Sequence, residues 1–99
     1  MTMFVGVLRL RLELPESGSL KDKRQVTRSI LDRIRNEYRV AAAEVGDLDS
    51  WTFAELGVAC VANDARHIDA VLAKAVGFVE RYWPEYPLVD VESEVNPAF

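Results

Sequence analysis

The chain has 99 residues, 49% of them hydrophobic and 9% aromatic, and a net charge of −4. That is the size of one domain, residues 1–99, with enough apolar material for a core and too much for disorder. The net charge excludes a strongly basic nucleic-acid binder. It conceals an asymmetry, because residues 1–40 carry nine Lys/Arg and five Asp/Glu, whereas residues 41–99 carry three and eleven. A local basic face could therefore still meet phosphate. The alternative is that the two halves neutralise each other in the fold. The single cysteine, Cys60, permits no internal disulfide, which fits a reducing cytoplasm.

The first fourteen residues, MTMFVGVLRLRLEL, are apolar only to Leu8 before arginine enters every second position. This is too short for a signal peptide or a membrane span, so a soluble cytoplasmic protein with no membrane partner is expected. Leu8, Leu10, Leu12 and Leu14 alternate with Arg9, Arg11 and Glu13, which predicts a strand over 4–14. Pro15 ends it. Ser19 is a good N-cap with Asp22 three residues on, and Val26, Ile30, Leu31, Ile34 and Tyr38 form an apolar stripe. A helix over 20–39 follows. Lysine and arginine crowd its first turns, where the helix dipole prefers acids. The anion that offsets them is either a partner's phosphate or the protein's own Asp47, Asp49 or Glu85. The expected outcome is a split, with Lys21 or Lys23 engaged internally and Arg24 and Arg28 left free.

Val40–Val45 and Trp51–Ala62 read as a hairpin around the turn GDLDS, with Leu56, Val58, Cys60 and Ala62 on one face. Asn63 and Asp64 cap a second helix with the stripe Ile68, Val71, Leu72, Ala75, Val79 and Tyr82, ended by Pro84. LVDVESEV alternates again as a last strand, and NPAF reads as a tail. The order βαββαβ predicts an α+β, ferredoxin-like split βαβ sandwich. It has two helices on one face of a four-stranded antiparallel sheet of order 4-1-3-2. That topology sets Arg9 and Arg11 on the same side as Asp90, Glu92 and Glu94, so these arginines read as structural. It also gathers the start of the first helix, Asp47, Asp49, Trp51, Trp83 and Tyr86 at one end.

The stretches SLKDKRQVTRSILDRIR, VAAAEVGDLDSW and LGVACVANDA resemble the bacterial YlxP-like family over nearly the whole chain. The matching positions are Leu20, Lys21, Asp22, Lys23, Arg24, Glu44, Asp49 and Trp51, while Ala62 replaces a common serine. The resemblance implies a small ferredoxin-like protein of unestablished function. By the association of the family's genes with those for translation factors, it also implies a role near the ribosome or RNA.

Lys21, Arg24, Arg28, Arg35 and Arg39 fall on one side of the first helix, and with Lys23 they form the candidate RNA-binding set. A solvated helix surface is the bland alternative. The outer sheet face lacks the stacking aromatics of an RRM. Its apolar residues Val5, Val7, Ala59 and Val61 form a second candidate, an interface for a partner or a second copy. Asp47 and Asp49 sit in a turn, where aspartate is common. His67 begins the second helix, Cys60 faces the core, and neither metal-ligand spacing nor a P-loop occurs. No enzyme, metal, cofactor or DNA partner is therefore expected.

Overall fold

The computed structural model describes residues 2–99. The elements are β1 (Phe4–Glu13), α1 (Leu20–Tyr38), β2 (Ala41–Gly46), β3 (Phe53–Ala62), α2 (Ala65–Tyr82) and β4 (Leu88–Pro97). The strands form one antiparallel sheet of order β2-β3-β1-β4, the expected order read from the other edge. The last strand runs further than expected. Asn96 and Pro97 pair with Val5 and Phe4, and the Phe99 carbonyl accepts from the Thr2 and Met3 amides, so the first half of the expected tail is strand and its end is tied back to the start of the chain.

Both helices lie on one face because each has one apolar stripe to bury. α1 covers β2 and β3, and α2 covers β1, β3 and β4. Leu8, Leu10, Leu12, Leu56 and Val58 face inward against Ile30, Ile34, Ile68, Leu72 and Val79. Phe78 is a core residue that the predicted stripe omitted, and Tyr82, assigned to the core, is 48% exposed. Phe78 and Tyr82 instead belong to an aromatic group with Tyr38 and Trp83. The Arg33 guanidinium lies 4.7 Å from the Tyr82 ring centre and 5.1 Å from that of Trp83, linking α1 to α2 through cation–π contact.

The α1 N-terminus is capped as its sequence suggests. Ser19 Oγ accepts from the Asp22 amide at 3.0 Å, and the Asp22 carboxylate accepts from the Gly18 amide at 3.2 Å. Arg39 closes the helix with φ 53°, in the left-handed region, its amide donating to the Arg35 carbonyl.

Candidate nucleic-acid interface

The crowded cations of α1 separate into two groups. Lys23 is fully buried. Its Nζ donates to the Asp47 carbonyl at 2.6 Å and the Phe53 carbonyl at 3.1 Å, and lies 3.1 Å from Glu44 Oε2 in an ion pair. Glu44 Oε2 is itself buried with no aligned hydrogen bond, so the ammonium is its only compensation. Lys23 thereby ties the first turn of α1 to both arms of the β2–β3 hairpin. This corrects its place among the RNA-binding candidates, because a lysine without solvent access cannot reach a phosphate. The internal anion is Glu44 together with two carbonyl dipoles, rather than the Asp47 carboxylate, Asp49 or Glu85.

The Asp47 carboxylate is used elsewhere. Asp47 sits at φ 54° in the hairpin turn, and Arg11 Nε donates to its Oδ2 at 2.8 Å while the guanidinium stacks 4.1 Å from the Phe53 ring centre. Arg11 thus reaches past Asp90, its register partner on β4. Arg9 meets Asp90 at 2.6 Å, with Glu55 and Glu92 at 3.4 Å. Both arginines are structural, as their register suggests.

The second group faces solvent. Arg24 and Arg28, one helical turn apart, line a groove of about 450 Å³ between α1 and β2 with Thr27, Leu31, Arg35 and Glu44. Neither makes an ion pair among the described residues. Arg35 is partly committed, since its Nε and Nη2 donate to the Ala42 carbonyl at 3.0 and 2.6 Å and its Nη1 donates to Asp32 at 2.9 Å. It closes one carbonyl of the edge strand β2 and leaves the rim of its guanidinium toward the groove. Lys21 is exposed beyond the groove's N-terminal end, and Arg39 is exposed at the far end of α1, outside it. The structure therefore brings Arg24, Arg28 and Arg35 together at the groove, places Lys21 one turn before Arg24 on the same helix, and sets Lys23 and Arg39 apart from them.

A sequence comparison matches residues 5–93 to the family described as protein of unknown function, DUF503. The chain belongs to the DUF503 family. It is similar to the uncharacterized protein YlxP of Bacillus subtilis strain 168, with 28% identity over 78 residues, 79% of this chain and 85% of that protein. Among solved structures, a de novo designed protein, Foldit4, superposes with a TM-score of 0.58 and 14% identity over 98% of this chain and 99% of its own. That likeness concerns the fold alone.

In this DUF503 chain the remaining candidates fall as follows. Val5 pairs with Val61 and Val7 with Ala59 in direct cross-strand register, so the four interface candidates form one patch on the helix-free face. β2 adds Ala41, Ala43 and Val45, whose period-two spacing carried the same signal in the sequence. Asp47, Trp51 and Tyr86 do gather near the start of α1, since the Leu14 amide donates to the Thr52 carbonyl and the Glu13 amide to the Pro87 carbonyl. Trp51 is half exposed there, and Asp49 points to solvent. His67 is exposed on α2, and Cys60 is partly buried against the core. Among the described residues no group of three His, Cys, Asp or Glu could hold a metal, and no helix is long and apolar enough to cross a membrane.

Hydrogen bonding from Arg11, helped by its charge and that of Lys23 and opposed by partial burial, holds the Asp47 carboxyl below the usual aspartate range. A lowered folded-state value stabilises the fold above the unfolded value of about 3.9, and that contribution is lost as pH falls through the folded value. Asp47→Asn tolerates the left-handed backbone but not the ion pair. Its deficit in urea midpoint against the wild type should be greatest near neutrality and shrink below about pH 4. A deficit independent of pH would assign Asp47 a purely backbone role.

Proposed function

We propose that this DUF503 chain is a non-enzymatic RNA- or ribosome-associated protein that seats RNA phosphates along the α1–β2 groove. The observation that carries the reading is the contrast between two kinds of cation. Arg9, Arg11, Lys23 and Arg33 are each occupied within the fold, whereas Arg24 and Arg28 line a groove with no carboxylate partner of their own. Two guanidiniums held one turn apart on a packed helix are suited to bind successive backbone phosphates without reading bases. Arg35, anchored on the Ala42 carbonyl, supplies a third positive centre, and Lys21 extends the basic face toward the N-terminus. Asp32 and Glu44 moderate the groove's charge, so modest and strongly salt-dependent affinity is expected.

Co-sedimentation with ribosomal subunits, and anisotropy of a labelled single-stranded RNA, across a salt series would test this. Arg24→Glu/Arg28→Glu should weaken binding at least tenfold. It should also flatten the slope of log K against log salt by about 1.4, the loss of two phosphate contacts. Absence of salt-sensitive binding by the wild type, or an unchanged slope in the double variant, would remove the reading.

A further inference from the structure

On the helix-free side, the sheet forms an apolar trough of about 440 Å³. Val7, Gly57 and Ala59 make its floor, and Ala41, Ala43 and Val45 on β2 make one wall. Val45 leans over Gly57 so closely that a Cβ on the glycine would lie 2.9 Å from Val45 Cγ1. Val45 is 55% exposed and Val7 43%. The opposite wall is acidic. Glu92 and Glu94 project from β4 beside the trough. Three carboxylates, of Glu55, Asp90 and Glu92, surround the one guanidinium of Arg9, and Glu94, whose carboxylate accepts from Asn96 Nδ2, adds a fourth negative charge with no cation of its own among the described residues.

We infer that this face docks a cationic amphipathic helix of another protein, its apolar stripe on the floor and its basic flank along Glu92 and Glu94. Three observations select this occupant. The trough spans from β2 to β4, about 14 Å at the usual strand spacing, which fits one helix of 10–12 Å diameter. Small floor residues let that helix approach closely, and it would complete a third layer opposite α1 and α2. The charge decides the rest. RNA and anionic lipid are repelled by the acidic wall. The same face of a second copy offers no free cation, because Arg9 and Arg11 are already paired within their own chain. Any two-fold stacking of the faces would set the carboxylates of β4 against those of the other copy or against its apolar wall. The inference is independent of RNA binding, which uses the opposite layer.

The probe is a fluorescein-labelled 18-residue helix with a leucine stripe flanked by lysines, compared with the same stripe flanked by glutamates. Wild type should bind the lysine peptide at least tenfold more tightly than the glutamate peptide. Glu92→Lys/Glu94→Lys, two changes on an exposed edge strand, should weaken that binding at least tenfold, and Ala59→Arg should do the same by filling the floor. Amide NMR shifts should cluster at Val7, Ala43 and Ala59, and Arg24→Glu/Arg28→Glu should bind the peptide as wild type does. Equal binding of the two peptides, shifts that map elsewhere, or binding indifferent to the β4 reversal would overturn the inference. So would a concentration-dependent dimer abolished by Ala59→Arg, which would assign the trough to a second copy.

Discussion

Lys23→Met should destabilise the fold by about 3–5 kcal/mol, the cost of leaving a buried charge without its counter-ion. The value should fall toward the lower end, because the Glu44 side chain keeps 18% of its exposure and therefore some water. Two carbonyls, of Asp47 and Phe53, lose their donor at the same time. The methionine stem replaces most of the lysine's packing, so the loss reports the ammonium rather than a cavity. Adding Glu44→Leu should recover part of the stability, since the orphaned carboxylate disappears, but not all, since the two carbonyls remain unpaired. Urea denaturation of the wild type, both single variants and the double variant measures this as a cycle. A Lys23→Met cost below about 1 kcal/mol, or strict additivity with Glu44→Leu, would refute the lock. The same variant separates fold from binding. If the groove seats RNA as proposed, the folded variant should keep the wild-type salt slope and lose only the little affinity that the unneutralised Glu44 costs, whereas the Arg24 and Arg28 reversals should change binding and leave the urea midpoint nearly unmoved.

The lock also explains what could be read from the chain and what could not. Leu8, Leu10, Leu12 and Leu14 announce β1 by alternation, and Ser19 and Asp64 announce both helix starts, because these signals are local. Strand order then follows from handedness and short connections, which is why the topology was legible from element order. The candidate site was legible only in part. Lys23 falls in the core stripe, i+4 to Thr27 and i+7 to Ile30, and the crowding of cations on the first turns suggests that Lys21 or Lys23 turns inward, but not which of the two or onto what. Position outweighed residue type because β2 happens to bring Glu44 and two hairpin carbonyls to that point, a long-range fact that helix periodicity does not contain. Arg35 is the same case, since its commitment to Ala42 depends on α1 lying against the β2 edge. The acidic wall is different. Asp90, Glu92 and Glu94 were placed on the outer face by alternation alone, and only Ala41, Ala43 and Val45 were needed to turn the patch into a trough.

Gly6→Ala should cost about 2 kcal/mol, although alanine in an extended strand is ordinarily favoured over glycine by reducing the freedom of the unfolded chain. Gly6 is buried in β1 opposite Cys60 and Val95, directly beneath α2. A Cβ there would overlap Ile68 Cγ2 and lie 3.1 Å from Leu72 Cδ1. Ile68 is wholly buried and Leu72 nearly so, leaving neither side chain a free direction in which to withdraw. The helix would have to lift from the sheet. Ile68→Ala alone should cost about 2–5 kcal/mol by opening a cavity. Placed together, the new methyl enters the space the isoleucine vacates, so the double variant should be at least 1 kcal/mol more stable than the sum of the two singles predicts. Thermal and urea unfolding of the four proteins would measure that coupling. Additive losses would mean that α2 is not held against β1 by contact at Gly6, and that its height over the sheet is set by Ala75 and Val79 further along the helix.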